Sequence, residues 1–479
     1  MRILENLEPK SVFGYFEELS GIPRGSGNMV KISDYCLEFA NKHSLKALRD
    51  SANNVIIYKP ASKGYENSAP VILQGHLDMV CQKDENANID FEKDGLELYI
   101  DGDYIKAKGT TLGADNGIAV AMIMSILASE DIPHPPIEAI FTTDEEIGMV
   151  GAMALSVDKI NGKRMINIDS EDSEVVTVSC AGGSDFKMTV PLEREEVSGN
   201  CITITVKGLK GGHSGVEINS GRVNANILLG RILSELRKQC EFSIISIDGG
   251  DKGNAIPLFA TAKIVVDDDE RVITILNEYA KVIKEEISAR EENFALKLDV
   301  SQGEYDVVKT PETDKIINLF LCVPNGVMEM SAEIEGLVET SLNLGIVKTE
   351  NDSLLLHFTL RSNKKSAHLY LEDRLSAFAS SVPCKVEKSG HYPPWEYNAK
   401  SELQEIYREK YMDKFGTFPR IEAIHAGLEC GVFASQINGF DCISIGPEMY
   451  DIHTTKERLG ITSTKEIYEI ILKVLKALR

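Results

Sequence analysis

The segment IEAIFTTDEEIG, residues 137–148, joins a short apolar run to two adjacent acids, Glu145 and Glu146. The run before Thr142 is rich in β-branched and aromatic residues, which predicts a buried strand, so the acids lie where that strand ends. Ligands of open α/β sheets bind beyond the carboxyl ends of the strands. One carboxylate there can bind a cation while the other acts as a base; the alternative is a solvated acidic turn.

Length and charge limit the class of protein. A chain of 479 residues, 43% of them hydrophobic, is too long for one core and predicts about two to four domains. The formal net charge of −23 disfavours binding to nucleic acid or to an anionic membrane, because both need basic patches. We therefore expect no nucleic-acid partner and no membrane partner.

The nine cysteines are scattered singly, and an odd number does not fit a complete disulfide framework. The first residues, MRILENLEPKSVFGYFEEL (1–19), carry acids where a signal peptide needs an apolar run. The longest apolar stretch, Ile118 to Leu127, is too short to span a bilayer. These features predict a soluble cytoplasmic protein.

A second predicted strand, VILQ (71–74), runs directly into QGHLDMV (74–80), so His76 also leaves the end of a strand. Asp78 follows two residues later, which places its carboxylate near enough to orient the imidazole. A His-x-Asp sequence alone is a weak indication, because most such tripeptides are incidental.

Three further residues occupy comparable positions. Asp115, in the run TLGADNG, lies between glycines just before an apolar helix whose positive end favours a carboxylate, although a simple N-cap is the alternative. Asp169 is the first polar residue after a predicted strand at 165–168. His453 follows a predicted strand at 442–445 and a Gly-Pro turn.

Together these positions supply two imidazoles and three carboxylates, with Glu145 left over. The set is His76, Asp115, Glu146, Asp169 and His453. If one carboxylate bridges, the set satisfies two zinc-type ions and leaves each an open position for water or substrate. A structural site would be closed and would favour the cysteines, so the pattern predicts a catalytic centre.

The motifs QGHLDMV, LGADNG, TTDEEIG, INIDSE and the late IHT resemble, in type and order, those of the co-catalytic di-zinc peptidases. That family includes aminoacylases, glutamate carboxypeptidase, peptidase T and bacterial dipeptidases. Between the motifs, KGGHSGVEIN, GNAIP, VETSLNLG, LHFTLRS and HAGLECG are most similar to the aminoacyl-histidine (Xaa-His) dipeptidase branch. The resemblance covers the whole chain.

The resemblance implies a role for each ligand. Asp115 would bridge both ions, His76 and Asp169 would complete one site, and Glu146 and His453 would complete the other. The cofactors implied are two divalent metal ions, zinc first, with cobalt or manganese as alternatives.

The resemblance also implies that Glu145 is the general base and that Asp78 orients His76. Deprotonated water would attack a peptide carbonyl, and Glu145 would return the proton to the leaving amine.

The interval from Asp169 to His453 contains no metal ligand and is far too long for a loop, so it predicts an inserted domain. We place that domain, a lid, at 188–395, between catalytic segments 1–187 and 396–479. The expected fold class is α/β, with a mixed sheet flanked by helices and an α+β lid. Two β/α groups of similar content within the lid suggest a duplication.

In the family interpretation, four residues bind substrate or stabilise charge. His213 would donate a hydrogen bond to the carbonyl oxygen, Asn254 would add a neutral hydrogen bond, and Arg361 would clamp the C-terminal carboxylate. Glu429 would pair with the free amine. The alternatives are a loop histidine, a turn asparagine and a strand arginine paired with a surface acid. His213 could act in its own chain or in a partner subunit, so the chain is expected to be a monomer or a homodimer.

The predicted function is metal-dependent hydrolysis of unblocked dipeptides, including Xaa-His dipeptides, so the expected partner is a small peptide. One alternative is an N-acyl amino acid deacylase or a tripeptidase on the same scaffold. Another is a metal-dependent binding protein without catalysis, which the spare acid Glu145 disfavours. No predicted strand is followed by GxGxxG or GxxxxGK[ST], which disfavours a nucleotide-binding protein.

Overall fold

The computed structural model describes residues 2–479, which form helices and strands in alternating groups. The α-helices are α1 (Lys10–Ser20), α2 (Val30–Lys42), α3 (Ala114–Ala128), α4 (Val150–Ala154), α5 (Ala225–Arg237), α6 (Asp269–Ile287), α7 (Thr310–Cys322), α8 (Lys365–Ala379), α9 (Glu402–Phe415), α10 (Glu429–Gln436) and α11 (Ile461–Ala477). A short 3-10 helix spans Val157–Lys159.

The strands range in length from two residues to 14 residues. They are β1 (Lys46–Arg49), β2 (Val55–Lys59), β3 (Val71–His76), β4 (Leu98–Asp101), β5 (Tyr104–Ala107), β6 (Ile137–Thr142), β7 (Arg164–Asn167), β8 (Val175–Cys180), β9 (Gly182–Pro191), β10 (Arg194–Lys207), β11 (Gly212–His213), β12 (Ser243–Gly249), β13 (Ala255–Ile256), β14 (Ala260–Val266), β15 (Ala295–Val308), β16 (Gly326–Met330), β17 (Val338–Glu350), β18 (Ser353–Ser362), β19 (Lys385–Tyr392), β20 (Arg420–Ile424), β21 (Asp441–Ser444), β22 (Met449–Tyr450) and β23 (Arg458–Gly460).

One compact unit consists of the chain up to Cys180, Tyr397–Ala423 and Leu428–Arg479. Its main sheet has the strand order β1-β2-β6-β3-β7-β21-β8-β20. The central strands β6, β3, β7 and β21 are parallel, whereas β1, β2 and β8 pair antiparallel with their neighbours. The predicted α/β class with a mixed sheet is therefore confirmed. Strands β3 and β6 are buried at every residue, which explains their continuous apolar runs.

Helix α3 packs against β3 without a polar face. Its residues from Gly117 to Leu127 are all buried, so it is apolar on every side rather than amphipathic. A Cβ atom on Gly75 of β3 would lie 2.5 Å from Asn116 Oδ1 and 2.8 Å from the Cβ of Ala119. Glycine at this strand position thus allows the start of the helix to approach the strand end.

The other compact unit consists of Ala181–Glu396 together with Ile424–Gly427. Its antiparallel sheet runs β15-β10-β14-β12-β17-β18-β9-β19, with β16 paired to β17. Along β9, Phe186 and Met188 are buried while Asp185 and Lys187 are only partly buried, as expected when helices cover one face of a sheet. The duplication of this unit stays a prediction.

Helix α6 begins at Asp269. The Asp268 side chain caps it by accepting a hydrogen bond from the Arg271 amide. Among residues 2–479, no helix combines the length and apolar character needed to cross a membrane.

Candidate active site

The parallel strands of the first unit end at one edge of the sheet. In the register, His76 of β3 lies opposite Thr142 of β6, and Gln74 lies opposite Asn167 of β7. Asn167 in turn lies opposite Ser444 of β21. The chain segments that follow these strands therefore emerge side by side, and each carries one of the predicted polar residues.

Asp115 lies between two groups of candidate metal ligands. In the first group, His76 Nε2 is 3.1 Å from Asp115 Oδ1 and 3.5 Å from Asp169 Oδ1. In the second, His453 Nε2 is 3.2 Å from Asp115 Oδ2 and 3.0 Å from Glu146 Oε1. Each carboxylate oxygen of Asp115 thus belongs to a different group.

The donor chemistry of both groups suits divalent metal ions. In each group one ligand atom per residue lies within 4.8 Å of the others, and each combines one imidazole with carboxylates. If each group held one ion, its three protein ligands, with one carboxylate shared, would leave open coordination positions, which is typical of catalytic centres. The structure therefore brings together all five ligands that the sequence predicts.

Asp78 supports both groups. Its Oδ1 is 3.3 Å from His76 Nδ1, and its carboxylate accepts backbone N–H bonds from Glu145 at 3.0 Å and Glu146 at 3.2 Å. Ser26 donates a further hydrogen bond at 2.8 Å. Asp78 thus contacts the imidazole of His76, and it also fixes the turn that carries the two glutamates; its role in orienting His76 stays a prediction.

The electrostatics of the cluster reflect crowded, partly buried carboxylates. Burial raises the pKa of Glu145 well above its usual range, and neighbouring carboxylates reinforce the shift. Burial also raises the pKa of Asp169 to about 6. Hydrogen bonds that the His453 ring donates to Asp115 and Glu146 raise the pKa of His453 to about 10. Nearby cations would offset this repulsion and favour the ionised acids.

Glu457 and Arg24 hold the loop that carries Asp115, and the sequence analysis missed both. Glu457 Oε2 accepts hydrogen bonds from the amides of Leu112 at 2.7 Å and Gly113 at 3.0 Å, and Oε1 accepts two, from Ala114 at 2.8 Å and Asp115 at 3.4 Å. The buried guanidinium of Arg24 donates to the carbonyl of Gly113.

Gly113 has a φ of 64°, and a Cβ there would lie 2.5 Å from Arg24 Nη2. Glycine is therefore required at this point of the loop for both backbone conformation and space.

The predicted residues His213, Asn254 and Arg361 all lie in the second unit. His213 Nδ1 accepts hydrogen bonds from the amides of Gly215 and Val216, both at 3.2 Å. The proton of the neutral ring is therefore assigned to Nε2, which leaves Nε2–H as a donor. Burial, reinforced by the charge of Arg361, lowers the pKa of His213 and favours this neutral form.

Arg361 and Asn254 line one cavity of about 360 Å³. Arg361 Nη1 donates to the hydroxyl of Tyr392 at 2.8 Å, whereas the buried Arg361 Nε has no hydrogen-bond partner among residues 2–479. The cavity is lined by Ser184, Asp185, Gly253, Asn254, His357, Thr359, Arg361, Gly390 and Tyr392. Its polar lining and unused donor suit a small charged ligand.

Glu429 lies in the first turn of α10 and is fully buried. Its Oε2 accepts hydrogen bonds from Gln74 Nε2 at 2.5 Å and Thr142 Oγ1 at 2.7 Å, while Oε1 has no partner among the described residues. Burial raises the pKa of Glu429 to about 7. The role of Glu429 in binding an amine stays a prediction.

A further group in the second unit, His368, Glu372 and His391, also has metal-like spacing. Here Glu372 is already bonded to Ser184 at 2.7 Å and to the Lys388 ammonium at 3.2 Å. His368 Nδ1 is buried without a partner in the described part of the chain, so the ring lacks the supporting acceptor that metal-binding histidines usually have. The group is better explained as a structural ion-pair network.

Comparison with known proteins gives consistent matches over the full length. A family model described as "Peptidase family M20/M25/M40" matches residues 72–477. The chain is 38% identical over 480 residues to the cytosol non-specific dipeptidase of Escherichia coli (strain K12), covering 99% of each chain. It matches the crystal structure of aminoacylhistidine dipeptidase from Vibrio alginolyticus with a TM-score of 0.93 and 36% identity, covering 99% of this chain and 98% of that one.

The crystal structure of aminopeptidase PepT from Bacillus cereus shares the fold at a TM-score of 0.58 and 15% identity, over 98% of this chain and 99% of that one.

We expect metal content to distinguish the shared ligand from the unshared ones. Replacing Asp115 with Ala should prevent stable binding of both ions, because each group loses a carboxylate, whereas His453→Ala should leave about one ion per chain. Metal analysis after dialysis measures this. Glu372→Gln, in the ion-pair network, is the matched control and should keep both ions; an Asp115→Ala protein that also keeps both would contradict the shared role.

Glu457→Gln should destabilise the Asp115 loop. An amide presents only one acceptor oxygen to four backbone N–H groups, so we expect a loss of about 2 kcal/mol in unfolding free energy and weaker metal binding. Denaturant unfolding and metal titration measure the two effects. The exposed Glu97→Gln is the control, and an unchanged metal affinity in Glu457→Gln would show that the loop does not depend on this carboxylate.

Proposed function

The chain belongs to peptidase family M20/M25/M40, and on this premise we propose that it hydrolyses unblocked dipeptides, including Xaa-His dipeptides, with Glu145 as the general base. The family resemblance inferred from the motifs is confirmed by the family match and by the full-length relatives. The protein is accordingly a metallopeptidase with dipeptidase activity. The E. coli relative is named a cytosol dipeptidase, and we propose a cytoplasmic location for this chain as well.

The site assignment rests on Asp115, whose two carboxylate oxygens each contact a different ligand group. Glu145 belongs to neither of the two three-residue groups that contain Asp115. His76 and Asp169 would hold one ion, and Glu146 and His453 the other. Imidazole and carboxylate ligands suit zinc, with cobalt or manganese as alternatives. Bound ions would polarise the scissile carbonyl and make water acidic enough to deprotonate near neutral pH.

Glu145 is placed to move the proton. The backbone N–H bond from Glu145 to Asp78 holds its turn, and burial makes its carboxylate a stronger base than an exposed glutamate. We assign to it the removal of a proton from water and the return of that proton to the leaving amine. Glu146, the next residue, remains a ligand.

The residues of the second unit would bind and orient the peptide. His213 Nε2–H would donate to the carbonyl oxygen as negative charge develops. Arg361 would pair with the C-terminal carboxylate, for which its unpartnered Nε and its guanidinium fork are suited. Asn254, in the same cavity, would add a hydrogen bond from its amide.

Glu429 would select substrates with a free amino group. Its unpartnered Oε1 is an acceptor that a substrate ammonium could satisfy, and that pairing would keep the carboxylate ionised. This role separates a dipeptidase from a deacylase of N-acyl amino acids, whose substrates lack the positive charge.

Glu145→Gln should fold and bind metal like the wild type, because the substitution is isosteric and the residue lies outside the assigned ligand set. We expect kcat to fall by about 10²- to 10⁴-fold through loss of the base. Steady-state hydrolysis of Ala-Ala, with melting temperature and metal content as controls, measures this. Substantial remaining activity in a fully metal-loaded variant would exclude Glu145 as the base.

A substrate panel tests the preference for free termini. Wild-type protein should hydrolyse Ala-Ala at a much higher kcat/KM than N-acetylalanine or Ala-Ala-Ala. Glu429→Gln should lower kcat/KM for Ala-Ala by about tenfold or more, through loss of a charge-assisted contact, and should affect N-acetylalanine less. Equal losses on both substrates would refute the assignment of Glu429.

A further inference from the structure

The cavity that contains Arg361 also contains a second charged group that the mechanism does not use. Asp185 of β9 lies on the partly buried face of the sheet with Thr359 and His357 of β18. In the register, Thr359 is directly opposite Asp185, and Arg361 is opposite Gly183. Arg361 and Asp185 are therefore diagonal neighbours, whose side chains start about 7–8 Å apart.

Asp185 is held in place from one side only. Thr359 Oγ1 donates to Asp185 Oδ1 at 3.1 Å, and His357 Nε2 lies 3.0 Å from the same oxygen, although the latter contact lacks hydrogen-bond geometry. The other oxygen, Oδ2, faces Gly390, where a Cβ would lie 3.1 Å away. Gly390 has a φ of 61° and no side chain, so this side of the carboxylate is left open to the cavity.

One buried donor, Arg361 Nε, lines the cavity without a hydrogen-bond partner among residues 2–479. Buried polar groups are seldom left unpaired, so an unpaired donor in a cavity indicates a ligand that pairs with it. Burial opposes ionisation of Asp185, but His357 and Thr359 outweigh it and lower its pKa, so the carboxylate carries its charge at neutral pH.

The geometry points to Asp185 as the residue that selects the side chain of the dipeptide's C-terminal residue, with a preference for cationic or N–H-donating side chains such as those of lysine, arginine and histidine. The inference rests on the proposed function, because it takes Arg361 as the partner of the C-terminal carboxylate. Arg361 and Asp185 line the same cavity, so a dipeptide whose C-terminal carboxylate pairs with Arg361 would present the side chain of that residue to Asp185. An aliphatic side chain of equal length offers Asp185 no donor, and an acidic one is repelled.

The test compares kcat/KM for Ala-Lys, Ala-His, Ala-Leu and Ala-Glu. Wild-type protein should favour Ala-Lys and Ala-His over Ala-Leu and should hydrolyse Ala-Glu least. Asp185→Asn should lower kcat/KM for Ala-Lys by about 10- to 100-fold, as expected for loss of a charged hydrogen bond, and should leave Ala-Leu within about twofold. Ala-Glu should improve, because the repulsion is removed.

Three variants serve as controls. Asp185→Glu keeps the charge and should keep the preference for Ala-Lys. Asp299→Asn, on edge strand β15 and paired with Lys297, makes the same chemical change outside the cavity and should alter nothing. Arg361→Lys should weaken all four dipeptides together, because they share the carboxylate.

Selection by Asp185 would be overturned if Asp185→Asn lowered kcat/KM equally for all four dipeptides. It would also be overturned if the wild type showed no preference for Ala-Lys and Ala-His over Ala-Leu. Either result would leave the proposed dipeptidase activity intact. Failure of metal-loaded wild type to hydrolyse any of the four would overturn the proposed function and this inference with it.

Discussion

Repulsion among partly buried carboxylates is the constraint on which the first unit depends. Asp115, Glu146 and Asp169 surround two imidazoles in a space where each ligand atom lies within 4.8 Å of its group. Such a cluster is unfavourable unless positive charge lies among its members, either as protons on the histidines or as metal ions. The pKa values of His453 and Asp169 are raised for the same reason, because bound protons reduce the net negative charge of the cluster.

Backbone amides and the buried guanidinium of Arg24 form hydrogen bonds around the cluster. Backbone amides donate hydrogen bonds to the carboxylates of Asp78 and Glu457. These two carboxylates therefore position loop segments and are not assigned as metal ligands. Arg24 is fully buried and bonds the carbonyls of Leu77 and Asp78 as well as that of Gly113. The predicted ligands are thus positioned by hydrogen bonds among residues outside the ligand set, which is the kind of preorganisation that catalysis requires.

In the second unit, one face of the sheet packs in the hydrophobic core and the other lines a polar cavity. One face carries Phe186, Met188 and their neighbours in the hydrophobic core, while the alternate residues of the same strands, Asp185, Thr359 and His357, line a polar cavity. The two-residue period of a strand makes this division possible, because each strand contributes to both faces at once. A rigid, well-packed sheet can therefore display charged groups at fixed spacing.

Polar residues that follow apolar runs predict most of the ligand set from the sequence, because parallel strands end at one edge of a sheet and bring the following residues together. His76, Glu146, Asp169 and His453 are predicted in this way, whereas Asp115 is predicted from its place between glycines before an apolar helix. Only the tertiary structure revealed Glu457, which accepts a hydrogen bond from a residue 345 positions away, and the Asp185–Thr359 contact, which spans 174 positions. Such partners leave no local pattern, since a carboxylate in a loop or on a strand looks solvated until the packing of distant segments places donors around it.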